Sequence, residues 1–376
     1  MNVYLFIVAL ILFICLVVIH EFGHFIVARR NGVKVLEFGI GFPPKIWSKI
    51  TKTGFIFSIN ALPLGGFVRL KGEHDADVEP GDFGAASTFA KCKIIAAGVL
   101  MNLLAAFVLL TILAWVGMPK ILDNQFTVKS DTKIIADKVI VSYIEPNSPA
   151  SESGIRQNDQ LISIGKIYGP QKSLNGSQDL PNITKLYAGN KVKIIYKRGS
   201  NSFTKTTTLR TQSEVLASDK TKNPKGYFGI VAQPFILQQS TWSAPIVALG
   251  LIKQFTVLTF QGLWKLVSGV ATGQGKKATS QVAGPLGIYF ILQNGSELGY
   301  QFILFIIAVI SLTLAIMNVL PIPALDGGRL FFILGARLFG KRLNPRTEDI
   351  INGVGFLALM GLIILITYVD YKRHYG

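Results

Sequence analysis

The sequence predicts a polytopic α-helical membrane protein: four transmembrane helices, a membrane-associated β-hairpin region and one inserted extracytoplasmic α+β domain. Three observations predict it. Half of the 376 residues are hydrophobic and only 16% are charged, where a soluble chain carries about a quarter charged residues. Four apolar stretches, three of them without any charge, are long enough to cross a hydrocarbon core of about 30 Å at about 1.5 Å per residue. Between the second and third of them lies a long polar segment with the alternation and turn residues of a folded domain. A mean hydropathy of +0.44 excludes a disordered chain and argues against an ordinary soluble enzyme.

The first span is the apolar run 4–19, extended by 25–28 and stopped by Arg29-Arg30. It is not a cleavable signal peptide, because Met1-Asn2-Val3 has no basic residue and the run leads into His20-Glu21 rather than a small-residue cleavage site. The other spans are 94–119, 298–325 and 350–369, none with a charge. Residues 227–252 also lack charge, but Gln233, Pro234, Gln238, Gln239, Ser240 and Pro245 make a poor span. With 254–270 they read as strand remnants and an amphipathic helix resting on the membrane or on its neighbours. Cys15 and Cys92 lie in or beside apolar runs and read as buried thiols.

The net charge of +17 comes from 38 Lys and Arg. Ten fall in 29–93, 21 in 120–277, five in 329–346 and two in the tail. Basic residues beside spans mark the cytoplasmic side, and long translocated domains are not counted. Residues 29–93 and 329–346 are therefore expected in the cytoplasm, with 120–297 and both termini outside. No aromatic stripe interleaves the basic residues, so no nucleic acid is expected as a partner.

In the cytoplasmic loop, Phe55, Phe57 and Ile59 alternate with Ser58 and Asn60 after a Thr51-Lys52-Thr53-Gly54 turn. The strand continues into Leu62-Pro63-Leu64-Gly65-Gly66-Phe67-Val68. This hairpin either leaves an edge at Gly65 and Gly66 for an incoming peptide or simply covers the loop. Outside, residues 139–144 read as a strand, followed by Asn147-Ser148-Pro149-Ala150 and Gly154-Ile155-Arg156-Gln157-Asn158-Asp159-Gln160-Leu161-Ile162. This stretch resembles a PDZ domain, with Ser153 where Ala is common and Asn158 where Gly is usual. Asn tolerates the left-handed conformation best among non-glycine residues, so the turn is expected to survive. Strands at 192–195 and 206–209 would complete the domain by about residue 225. Whether its groove takes a peptide stays open. The expected division is 1–119 as an N-terminal membrane domain, 120–225 as the PDZ-like domain, 226–297 as a juxtamembrane segment, and 298–376 as a C-terminal membrane domain.

The sharpest chemical signal is His20-Glu21-Phe22-Gly23-His24. Histidines at i and i+4 share one helix face and can ligate one zinc, with the intervening Glu placed to take a proton from water. Three ionisable groups in one turn of an apolar helix are costly unless they face a metal or a water cavity. A catalytic zinc expects a third protein ligand. His74 sits in an acidic loop and reads as solvated, and His374 lies in the basic tail. Asp326 is the better candidate: it ends an uncharged segment and precedes Gly327-Gly328. The plain alternative is an Asp capping a helix end.

The pair of motifs H-E-x-x-H and Asn318-Val319-Leu320-Pro321-Ile322-Pro323-Ala324-Leu325-Asp326-Gly327-Gly328 resembles the site-2 protease family of intramembrane zinc metalloproteases. Supporting matches are Glu37-Phe38-Gly39-Ile40-Gly41-Phe42-Pro43-Pro44, the 62–68 stretch, and Ala97-Gly98-Val99-Leu100-Met101-Asn102, where Val99 stands in place of the family's usual Pro. One PDZ-like domain between the second and third spans resembles the bacterial single-PDZ branch, of the regulator-of-sigma-E-protease type. The resemblance implies one Zn²⁺ held by His20, His24 and Asp326, with Glu21 as general base. It implies substrate contacts at Asn318, Gly65 and Gly66. It further implies a multi-pass protein of the bacterial inner or plasma membrane, acting on transmembrane protein substrates trimmed first by another protease. Two other readings are a membrane zinc transporter and a catalytically inactive PDZ-bearing scaffold. Glu21 beside His20 argues against both, since neither needs a base.

Overall fold

The computed structural model describes residues 3–199, 201–218, 224–272 and 284–375. Helix α1 (Val3–Arg30) follows the unbroken aliphatic run and ends at Gly32, whose φ of +78° suits glycine. Gly32 N–H donates to Arg29 O at 3.2 Å and Val33 N–H to Ala28 O at 3.0 Å, closing the helix end. The chain then enters β1 (Val35–Ile50) and β2 (Ile56–Leu70), which are antiparallel. Each strand is interrupted by glycine and proline at its middle, so the halves interleave. Residues 67–70 pair with 35–39, residues 37–40 also pair with 56–59, and 56–60 in turn pair with 45–50. One long hairpin thus makes a small four-segment sheet with 66–70 at its edge. Helix α2 (Thr88–Val116) follows.

The polar insertion forms a second sheet. Strands β3 (Met118–Pro119), β4 (Lys133–Ile144), β5 (Gln160–Lys166), β6 (Gln171–Ser173), β7 (Lys191–Arg198), β8 (Asn201–Thr208) and β9 (Ile230–Gln239) lie in the order β3-β9-β4-β5-β7-β8, with β6 on β5. Helices α3 (Pro149–Glu152), α4 (Asp179–Leu186) and α5 (Gln212–Ser218) accompany it. Alternate residues of the strands bury Val139, Val141, Leu161, Ile164, Val192 and Ile194 with Leu180 and Ile183 of α4. Ser148 caps α3 by accepting from Ser151 N–H at 3.2 Å. Asn158 has φ +70°, the left-handed conformation expected of it. Strand β9, assigned by the sequence reading to the segment after the domain, pairs along β4 from Lys133 to Ile144. Asp131, just before β4, accepts from the backbone N–H and hydroxyl of both Thr241 and Ser243 at 2.5–3.1 Å. Those four donors hold its carboxyl at about 2.

Helices α6 (Ala244–Ala271), α7 (Pro285–Gly295), α8 (Tyr300–Val319), α9 (Asp326–Leu338) and α10 (Pro345–Tyr375) complete the chain. Among the described residues, five helices are long and apolar enough to cross a membrane: α1, α2, α8, α10 and residues 244–269 of α6. The last is the segment read from sequence as an amphipathic surface helix; its early glutamines and prolines lie in β9 and the first turn, leaving a longer apolar helix behind them. The part of the expected juxtamembrane segment covering 273–283 lies outside the described residues. Cys15 is exposed and Cys92 half-buried rather than buried, because an apolar side chain in a span has no need of protein cover.

The chain forms two compact units. One is the sheet of the insertion, within 112–247 and 293–303. The other, within 7–111, 248–292 and 304–375, holds the hairpin and most of the long helices. In this second unit, buried Asp75 ties the loop between β2 and α2 to the C-terminal helices. It accepts from Lys91 Nζ at 2.5 Å, Arg337 Nη2 at 2.8 Å and Leu343 N–H at 3.1 Å. Burial raises the Asp75 carboxyl, but the Lys91 hydrogen bond and the other donors outweigh it and hold the group below its ordinary value. His74 is not merely solvated: its Nε2 lies 3.0 Å from Asp349 Oδ1 of α10.

Candidate metal centre

His20 and His24 stand one turn apart on α1, with Nε2 atoms 3.2 Å from each other. Asp326 Oδ2 lies 3.1 Å from His20 Nε2 and 3.2 Å from His24 Nε2. These three atoms form a nearly equilateral triangle. Tetrahedral zinc with bonds of about 2.0–2.1 Å requires ligand-to-ligand edges of about 3.3–3.4 Å, so the donor set fits the ion closely. Apart from the imidazoles, Asp326 Oδ2 is buried without a partner among the described residues. An anionic oxygen converging with two imidazole nitrogens in this way is a ready seat for a cation.

The backbone explains how a residue 300 positions away reaches α1. The segment after α8 turns back through Ala324, at φ +69°, and starts α9 at Asp326. Gly327 and Gly328 pass against the carbonyls of Val319, Leu320 and Ile322, where any Cβ would overlap them. Leu325 is the N-cap and makes no side-chain cap bond. Asp326 therefore does not cap the helix; its carboxylate faces the histidines.

Helix α2 supplies the support. Any Cβ on Gly98 would overlap the rings of both His20 and His24, and a Cβ on Gly23 would meet Ala97 O at 2.6 Å. The two helices thus touch backbone to backbone at the site. His24 Nδ1 lies 2.8 Å from Ile94 O and donates to it, and His20 Nδ1 lies 3.2 Å from Asn102 Nδ2. Asn102 is buried and its Oδ1 has no partner. Exchanging the amide N and O lets Oδ1 accept from His20 Nδ1–H, which leaves Nε2 of both rings free for metal. The sequence reading quoted Asn102 but gave it no role. The signal was there: Gly98 and Asn102 are i and i+4, as are His20 and His24, so two such pairs face each other.

On the other side of Glu21 is the edge of β2. A Cβ on Gly66 would lie 3.3 Å from Glu21 Cγ, so the edge backbone passes close beside Glu21. Leu70 N–H donates to Glu73 Oε1 at 2.7 Å. Backbone groups of 66, 68 and 70 consequently point away from β1, toward the centre. Gly65, at φ +126°, packs against the ring of Phe42 rather than against the centre. Asn318 is half-buried in the last turn of α8 and its side chain makes no hydrogen bond among the described residues, so none joins it to the three donors. A polar cavity of about 510 Å³ opens beside Asp326, bounded by Glu73, His74, Arg329, Glu348 and Asp349.

Comparison with known proteins decides the family. Residues 8–362 match peptidase family M50. The chain belongs to peptidase family M50. Similar proteins include two from Clostridium perfringens and Clostridium acetobutylicum, both with provisional zinc-metalloprotease names. The first is 31% identical over 363 residues, 96% of this chain and 97% of the relative. The second is 31% identical over 375 residues, 98% of each. The zinc metalloprotease RasP of Bacillus licheniformis is 25% identical over 451 residues, 97% of this chain and 98% of that protein. In this M50 peptidase the two imidazole nitrogens and one carboxylate oxygen match in kind the three protein ligands of a catalytic zinc site.

Proposed function

We propose that this M50 zinc metalloprotease hydrolyses peptide bonds within or beside the transmembrane segments of other membrane proteins. The observation that carries the reading is the donor triangle of His20, His24 and Asp326, lying between the buried amide of Asn102 and the open β2 edge beside Glu21. Zinc, when bound there by His20, His24 and Asp326, polarises the scissile carbonyl and acidifies water. Glu21 accepts the proton of the attacking water and returns it to the leaving amine. A helical substrate hides its carbonyls in i→i−4 bonds, so the bond to be cut must first be unwound. The edge at Gly66 and Val68 offers the unwound segment replacement hydrogen bonds. Asn318, with its amide unengaged, is assigned to hold substrate backbone.

The insertion, residues 120–225 together with β9, is assigned as an extracytoplasmic PDZ-like domain that discriminates against untrimmed substrates; its place in the chain between the second and third spans supports this. The topology follows the basic residues: 29–93 and 329–346 cytoplasmic, and 120–297 outside with α6 lying on the membrane surface, in a bacterial inner or plasma membrane. The deciding experiment uses the purified full chain with a fluorogenic transmembrane peptide, with and without a zinc chelator. Chelator-sensitive cleavage is expected. Zinc flux across vesicles without cleavage would assign the chain to transport instead.

A further inference from the structure

A groove of about 630 Å³ runs between α1 and α2, on the flank of the crossing at Gly23 and Ala97. On α1 its wall is Gly23, Ile26 and Arg30, spaced i, i+3 and i+7; on α2 it is Lys93, Ala97, Leu100 and Leu104, spaced i, i+4, i+7 and i+11. These are single stripes of two helices. Both cations lie at one end, and the rest of the wall is apolar. Among the described residues neither Arg30 nor Lys93 makes an ion pair, and no carboxylate lines the groove. Lys93 only sits over the ring of Phe89, 4.9 Å from its centroid.

From Lys93 to Leu104 the groove covers about 16 Å of helix axis, the thickness of about one bilayer leaflet. A second, wholly apolar depression of about 310 Å³ shares Met101 and Leu104 with it and continues along Ala105 and Val108. The path therefore has a charged head and a long apolar tail. A transmembrane helix is a poor occupant: about 10 Å across, it would fill roughly 1,200 Å³ over the same length, twice the groove.

We propose that this groove binds one anionic phospholipid, its headgroup between Arg30 and Lys93 and one acyl chain along Ala97, Leu100 and Leu104. Basic pockets between membrane helices favour anionic headgroups, each cation contributing about fivefold near the surface. The site is independent of substrate cleavage, so it stands or falls separately from the function proposed above.

The test uses the full chain, washed with detergent and analysed by native mass spectrometry for retained lipid. One phosphatidylglycerol per chain is expected, displaced by phosphatidylcholine only at about thirtyfold excess, the product of two such cations. The pair Arg30→Gln and Lys93→Gln should bring the competition to near parity, while Arg30→Lys with Lys93→Arg should keep the preference. Leu100→Trp, which fills the groove and leaves both cations, should lower retention of either lipid. A photo-crosslinker at residue 100 in native membranes should capture lipid. Equal competition in the wild type, an unchanged preference in the double Gln variant, or crosslinking to a transmembrane peptide instead of lipid would overturn the proposal.

Discussion

Asp75 and Asp326 are both shielded carboxylates of the same unit, and they are treated in opposite ways. Asp75 receives one ammonium, one guanidinium and one backbone N–H at 2.5–3.1 Å, and it is fully buried. Asp326 has two imidazoles near Oδ2 and, among the described residues, no other partner for that oxygen. A satisfied buried charge fixes one chain segment against another, whereas an under-satisfied one among converging lone pairs stores a demand for a cation. The difference separates a structural clasp from a metal centre using hydrogen-bond accounting alone.

The widest separation should come from substitutions at the centre. Asp326→Ala is expected to abolish stoichiometric zinc, read by elemental analysis, and with it all cleavage. Glu21→Gln should keep zinc while hydrolysis of a transmembrane peptide falls by about 10²–10⁴. Full activity in Glu21→Gln, or normal zinc content in Asp326→Ala, would end the proposed mechanism. At the clasp the pattern should invert. Asp75→Asn leaves buried Lys91 and half-buried Arg337 without their anion, costing about 3–5 kcal/mol in denaturation of the purified chain, with zinc per folded molecule unchanged.

Asn102→Leu tests a residue between these extremes. It keeps the volume and removes the partner of His20 Nδ1, so zinc affinity should fall by about 10–100-fold, with little change in melting of the metal-free chain. A purely structural Asn102 would show the reverse. The smallest effect belongs to His74. Its hydrogen bond to Asp349 raises its pKa above the ordinary 6.5, so its stabilisation is complete below about pH 6.5 and is lost as pH rises through the raised value. Both groups are substantially exposed, so His74→Gln should cost less than about 1 kcal/mol. That cost should be measurable at pH 6 and absent well above the raised value; a loss that grows with pH would refute the pairing.

Legibility in the sequence followed locality. His20, Glu21 and His24 were readable because one helical turn fixes their relation without any tertiary knowledge. Asp326 was readable because a lone charge closing an uncharged stretch needs a partner somewhere. Asn102 was not assigned, since an Asn in a span has many ways to be satisfied until the crossing at Gly98 is known. The interleaving of β1 and β2 was equally hidden: alternation marks strands, but glycine and proline at their middles permit several pairings, and only packing chooses. His74 read as solvated because its neighbours in sequence are acidic, while its partner Asp349 lies on a helix 275 residues later. Helix α6 reads as a surface helix when polar residues of β9 are averaged into it; taken from residue 244 it has the length and apolar composition of a candidate span.

The contact at Gly98 has a consequence for how this enzyme can be improved. Alanine at an interior helix position ordinarily gains about 1 kcal/mol over glycine, so helix propensity alone would nominate Gly98→Ala. Here the added methyl would overlap the two imidazoles, and overpacking of that kind costs about 1–3 kcal/mol, which outweighs the gain and weakens zinc binding as well. A stabilising library built on propensity therefore has to leave this position alone.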